Sequence, residues 1–168
     1  MALLPILRYP DPRLHTKASV IANVDDDVRR LAADMAETMY AAPGIGLAAT
    51  PVDRHLRLIV IDISEDKSRL LTLINPELLE KSGECEGEEG CLSIPEVHVM
   101  VRRARRCRIT AQDVHGRPVE MESENLLARI WQHETDHLDG RLIIDRMNAA
   151  DKIANKRQLA QLEASYRK

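Results

Sequence analysis

The chain has 168 residues, 44% of them hydrophobic and 30% charged, with a formal net charge of −3. That balance argues against a general nucleic-acid binder, DNA included, and no apolar run approaches the roughly 20 residues of a membrane helix. With no Phe, three Tyr and one Trp, the core has to be built from Leu, Ile, Val, Met and Ala.

In chain order, "MALLPILRYPDPRL" lacks a basic leader and is broken by Pro5, Pro10 and Pro12, so it does not read as a signal peptide. Three cysteines cannot all pair with one another, and that odd count without an export signal points to a cytoplasmic protein. Residues 25–41 place Val28, Leu31, Ala32, Met35 and Met39 at helical spacing, after three Asp suited to a helix N-terminus. The runs at 56–63 ("LRLIVIDI") and 70–75 ("LLTLIN") read as buried strands, and further strands are expected at 98–101 and 108–114. "HGRP" then turns the chain back in hairpin fashion.

A second helix is expected from Ser123 or Asn125, as cap, to about Leu138, ended by Gly140. A third runs from Asn148 to the C-terminus, with Ile153, Leu159 and Leu162 on one face. Strands grouped between helices indicate an α+β fold, and the absence of repeats and long linkers indicates one domain over 1–168.

"WQHETDHLDG" (131–140) carries the chemistry. His133 and His137 stand four apart on a predicted helix, so one face presents both to a single metal ion. Glu134 can sit beside that ion without ligating it and take a proton from water. With six His in the chain, chance gives on the order of 0.02 such HExxH strings, so coincidence is a poor account. Leu126, Leu127 and Ile130 lie one or two turns earlier and would help keep the site dry.

A third ligand is still required. Downstream stand Asp145, Asp151 and Glu163, with no further His; upstream, Cys91 lies in "EEGCLSIP" (88–95), and a thiolate partners two imidazoles well. Cys85 reads as a surface thiol in an acidic stretch and Cys107 as a small strand residue. The earlier "GIGLAATP" (44–51) lacks both the third glycine of a dinucleotide fingerprint and the ending of a P-loop.

Taken together, "GIGLAATP" (44–51), "EGCLS" (89–93) and "QHETDH" (132–137) resemble, in that order, the GxGxAAxQ, EGCLS and QHExDH motifs of the peptide deformylase family. The likeness continues through "LINPELLEKSGE" and "ENLLA" and covers most of the chain. It implies small antiparallel or mixed sheets around a central metal-binding HExxH helix, with a C-terminal helix. It also implies Cys91, His133 and His137 as ligands of Fe²⁺, with Zn²⁺ or Ni²⁺ able to substitute. The reaction implied is removal of the N-formyl group from the first Met of nascent polypeptides, with release of formate.

In that scheme Glu134 relays the proton, and the Leu92 N–H is one donor to the developing oxyanion. Gly44, Ile45 and Gly46 form a backbone platform for the peptide, and Arg129 and Ile130 fall where the family lines its Met pocket. The chain departs from the family at three places. Pro51 replaces the motif Gln and offers neither a side-chain donor nor an N–H, which leaves a divergent relative of impaired activity, binding metal and formylated peptides, as the alternative reading. Arg129 stands at a usually aliphatic position, either running to solvent or entering the pocket and favouring acidic or polar side chains. Trp131 is bulkier than the aliphatic residue expected. The arginines of "RRARRCR" (102–108) read mostly as a solvated strand face, with transient ribosome contact as the sharper alternative.

Overall fold

The computed structural model describes residues 2–167. Helix α1 (Asp26–Ala41) begins where the Asp25 carboxylate accepts the Val28 N–H at 3.0 Å, with Asp26 and Asp27 in its first turn. The expected helix is therefore observed, and its stripe of Val28, Ala32, Met35 and Met39 is buried.

Among the described residues seven strands follow: β1 (Gly46–Ala48), β2 (Leu58–Ile61), β3 (Leu71–Ser82), β4 (Cys85–Cys91), β5 (Ile94–Arg103), β6 (Arg106–Gln112) and β7 (Pro118–Glu124). They form an antiparallel five-stranded sheet in the order β1-β2-β3-β6-β7 and a separate antiparallel ribbon, β4-β5. Helix α2 (Asn125–Leu138) packs on strands of the larger sheet, and α3 (Ala149–Ala154) and α4 (Lys156–Tyr166) close the chain. The architecture is α+β with antiparallel sheets.

β2 shows why the sheet is covered on both sides. Leu58 and Val60 face Val28, Met35 and Met39 of α1, whereas Ile59 and Ile61 face Trp131 and Leu138 of α2. All four strand residues are buried, as a continuous apolar run requires. A third cluster joins Val97, Val99 and Val101 of β5 to Leu14, Leu142 and Ile143. Trp131 is fully buried and is the largest such side chain in a core without Phe.

Several boundaries differ from the sequence reading. The strand expected at 70–75 continues to Ser82, bulged on the way, because β6 pairs with its polar half. The strand expected at 98–101 begins at Ile94, and its partner β4 was not anticipated, since "CEGEEGC" has little strand propensity of its own. Pairing with β5 from Cys85↔Arg103 to Cys91↔Ile94 supplies what the composition lacks. Neither Ser123 nor Asn125 caps α2; Glu124 occupies that position and Asn125 is its first residue, with φ 60°. Gly140 ends the helix as expected, at φ 77°. The C-terminal helix is broken at Asn155, leaving Ile153 exposed while Leu159 and Leu162 pack on the third cluster.

Candidate metal centre

Two elements converge. Cys91 ends β4 at a tight turn through Leu92 and Ser93, and α2 carries His133 and His137 one turn apart toward it. The ligating atoms of these three residues lie within 4.8 Å of one another, and Cys91 Sγ is 3.3 Å from His137 Nε2. The upstream candidate is thus the third donor brought into place. Asp145 instead accepts the Leu142 N–H, Asp151 the Met100 N–H and Glu163 the Tyr9 hydroxyl.

The surroundings prepare the donors. His133 Nδ1 pairs with Glu89 Oε1 at 2.9 Å, which leaves Nε2 as its free ring nitrogen. Burial works against a Cys91 thiolate, yet the charge of His137 and hydrogen bonds from His133 and His137 hold the thiol well below its ordinary pKa. One soft thiolate and two imidazoles form a set that Fe²⁺, Zn²⁺ or Ni²⁺ can use, so the residues present fit a divalent transition metal.

A buried ion-pair network stands behind the histidine. Arg103 grips Glu89 with two hydrogen bonds at 2.7 and 2.8 Å, and reaches Asp136 at 2.8 Å. Arg146 donates to both oxygens of Asp136, sharing Oδ2 with Arg103. Burial pushes the Glu89 carboxyl up, but the hydrogen bonds of Arg103 and His133 overcome it and hold the group well below its usual range. Gln132 ties α2 to the β5–β6 turn through both faces of Ala104, its Oε1 accepting at 3.0 Å and its Nε2 donating at 2.9 Å. The sequence reading missed Glu89, Gln132 and Asp136. The period-two pattern of a strand, with Glu89 two before Cys91, is the one signal that pointed to the first of them.

Glu134 faces the cavity and is 6% exposed, and burial pushes its carboxyl above the ordinary value. Gly46 lies directly against it: a Cβ there would stand 2.6 Å from Glu134 Oε2 and 3.1 Å from Ile130 Cγ2. The bare backbone of Gly46 therefore lets the Glu134 carboxylate lie where it does. At Gly44 a Cβ would stand 3.0 Å from Leu92 Cδ1, the movable end of that side chain. Gly44, Ile45, Gly46, Leu92 and Pro51 line one cavity of about 360 Å³ with the three donor residues and Glu134. β1 is an edge strand, so one side of its backbone is open to a further extended chain. The Leu92 N–H has no backbone acceptor among the described residues. Pro51 is buried in the short turn Thr50–Val52, and its carbonyl accepts the Leu7 N–H at 2.7 Å.

The departures on α2 resolve differently. Arg129 does not run to solvent. It lines the cavity and its guanidinium bonds Glu89 at 2.6 Å, because that buried carboxylate makes the inward path favourable. Cys85 is half-buried rather than a surface thiol, with its Sγ and carbonyl both on Arg129. Cys107 is a buried strand residue, as expected. Trp131 fills the core behind the helix, outside the cavity. Of the arginine run, Arg103 is buried and Arg102, Arg105 and Arg106 are exposed.

Two histidines one helical turn apart, a glutamate between them and a strand cysteine define a possible Cys-His-His metal site of the HExxH class. The pattern of the family described as polypeptide deformylase matches residues 3–153. A peptide deformylase of Alkalilimnicola ehrlichii is 52% identical over 163 residues, covering 96% of this chain and 92% of the relative. One of Acinetobacter baumannii is 52% identical over 149 residues, covering 88% and 85%. The crystal structure of a peptide deformylase from Legionella pneumophila superposes with a TM-score of 0.90 at 38% identity, covering 99% of this chain and 98% of that one. The chain belongs to the polypeptide deformylase family.

Proposed function

We propose that the chain is a metal-dependent hydrolase that removes the N-formyl group from the first Met of newly made polypeptides and releases formate. The whole of 1–168 acts as a single catalytic domain built around the HExxH helix. Cys91, His133 and His137 would hold the ion, Fe²⁺ by family precedent, with Zn²⁺ or Ni²⁺ as substitutes. The observation that carries this reading is the meeting of three ligating atoms within 4.8 Å beside a buried glutamate that lies on Gly46.

An ion held there supplies Lewis-acid chemistry, polarising the formyl oxygen and making water a better nucleophile. The peptide lies along the open edge of β1, with Gly44, Ile45 and Gly46 offering backbone bonds and the glycines admitting its main chain. Glu134 takes a proton from the attacking water and delivers it to the leaving amine, a relay suited to a carboxyl raised by burial. The Leu92 N–H donates to the charge developing on the formyl oxygen. Glu89 keeps His133 in one tautomer and one orientation throughout. Pro51 supplies no donor to that oxyanion, so turnover is lowered without loss of the metal donors.

No helix among the described residues is long and apolar enough to cross a membrane. The substrates are formylated nascent peptides in the cytoplasm. Of the exposed arginines of that run, Arg102 pairs with Glu86 and Arg106 with Glu122, and all three, Arg105 included, are the cations assigned here to transient ribosome contact. Co-sedimentation with ribosomes at low salt tests that contact, and its absence removes it.

Formate release from formyl-Met-Ala-Ser by anaerobically prepared Fe²⁺ protein, beside Glu134→Ala, tests the main reading. Release by the native chain and its loss in the variant, with metal content retained, is expected. Equal release by both would overturn the assigned relay.

A further inference from the structure

A second cavity, of about 430 Å³, is walled in part by the ion-pair network but by none of the metal donors and not by Glu134. Three parts of the chain build it. The turn joining β3 to β4 brings Lys81 and Glu84, the end of β5 brings Arg102 and Arg103, and Asp136 of α2 with Arg146 completes the wall. Gly83 makes the first of these turns at φ 67°. A Cβ on it would meet Arg105 Cβ at 3.3 Å, so the β5–β6 turn lies directly against it and sets Arg105 at the rim.

The chain carries a net charge of −3, yet four cations line this cavity against two carboxylates. Carboxylates beyond the wall also count. Arg102 has Glu86 at 4.0 Å, and Arg103 shares Glu89 with Arg129. With Glu86, Glu89 and Arg129 included, five cations stand against four carboxylates, and Arg105 widens the excess to two. A concave surface with such an excess concentrates anions.

Donors are also left over. Arg146 uses Nε and Nη2 on Asp136, and its Nη1 group has no protein acceptor among the described residues. Neither Lys81 nor Arg105 enters an ion pair among the described residues. Arg103 is 6% exposed and held from two sides, so one wall of the cavity is fixed in advance while the Lys81 ammonium at its mouth is mobile.

We infer that this cavity binds a phosphate dianion, free or carried as a monoester. A carboxylate offers two oxygens, and Asp136 already presents that shape to Arg103 and Arg146. Phosphate adds a third oxygen and a second charge, so one ligand can span guanidinium and ammonium groups together. Arg103 holds Glu89 through Nε and Nη2 and Asp136 through Nη1. A ligand competing with Asp136 therefore leaves Glu89 on His133. The site stands apart from the deformylase reading, and either can fail without the other.

The test is calorimetric titration of the Zn²⁺-loaded chain with inorganic phosphate, adenosine 5′-monophosphate and adenosine, in chloride at fixed ionic strength. One saturable site for the two phosphates and none for adenosine is expected, and saturation raises Tm by roughly 2–4 °C. Equal affinity for both assigns the site to the free anion and a tighter monophosphate to a monoester; each result supports the inference. Lys81→Glu, at an exposed position, weakens binding roughly tenfold or more and leaves formate release unchanged. Arg105→Glu at the rim weakens it in the same direction and serves if the first variant does not fold. Arg106→Gln removes an exposed cation outside the cavity and leaves affinity within about twofold. Phosphate affinity unmoved by Lys81→Glu would place the anion on the metal or elsewhere and overturn the inference. An equal fall in Arg106→Gln, saturable binding of adenosine, or no saturable binding of either phosphate would also overturn it.

Discussion

Replacing Gly46 by alanine adds one methyl group to β1, and the structure says where it goes. Its Cβ would stand 2.6 Å from Glu134 Oε2, about 0.8 Å inside the 3.4 Å at which ordinary contact begins, with Ile130 Cγ2 of the same helix face at 3.1 Å. The backbone of Gly46 is not left-handed, so alanine is accepted there without backbone strain. Both neighbours lie on one face of α2, and the end of the Glu134 side chain is the movable part, so the carboxylate yields. A displacement near 1 Å of a reacting group costs on the order of 10²-fold in rate. The overpacking itself costs about 1 kcal/mol, which for a chain of this size lowers Tm by roughly 2–4 °C. Steady-state formate release from formyl-Met-Ala-Ser, with bound metal and Tm measured on the same preparation, separates the two effects. The expected result is a fall in kcat of about 10²-fold with metal content unchanged. A kcat within about twofold of native would refute the placement of Glu134 as the proton relay, since a displacement this large cannot leave a relay unaffected.

Pro51→Gln restores a side-chain donor in the cavity, and kcat is expected to rise by up to about 10²-fold; equal rates would mean that the oxyanion is already fully served. Glu89→Gln leaves the buried Arg103 and Arg129 without their shared carboxylate, at a cost of about 3 kcal/mol and a fall in Tm of roughly 6–12 °C. It also frees His133 Nδ1, so metal affinity, followed by competition with a chelator, falls about 10- to 100-fold; an unchanged affinity would remove Glu89 from the support of the centre. The Asp11 carboxyl is held below its ordinary 3.8 chiefly by hydrogen bonds from Arg13. Its folded pKa is depressed, so its stabilisation is complete above the unfolded value and is lost as pH falls through the folded one. The Tm difference between native and Asp11→Asn protein should therefore be largest above the ordinary 3.8 and close as pH falls below it through the depressed folded value; a constant difference would contradict the assignment.

What could be read from the chain alone divides along the range of the interaction concerned. His133, Glu134 and His137 are related by one helical turn, a local geometry that spacing expresses directly. α1 and β2 were legible for the same reason, their apolar periods being self-contained. Cys91 required its context, because its partners lie more than forty residues away on α2. β4 was illegible: a stretch of Glu and Gly becomes a strand only through β5, and that pairing is a tertiary fact. Arg129 illustrates the same limit from the opposite direction. An arginine on an amphipathic helix ordinarily extends to water, and only the buried Glu89, forty positions upstream, turns it inward. The support of the centre by Glu89, Arg103, Gln132 and Asp136 depends wholly on such long-range meetings. The glycines of "GIGLAATP" were recognisable as a platform, but the contact between Gly46 and Glu134 belongs to the fold.

The most direct measurement of the whole account is the product mass spectrum of formyl-Met-Ala-Ser after incubation with the Fe²⁺-loaded native chain. Met-Ala-Ser and formate are expected, formed over many turnovers and abolished by Glu134→Ala, with every peptide bond intact. Cleavage between Met and Ala, or an unchanged formyl peptide beside fully loaded protein, would contradict it.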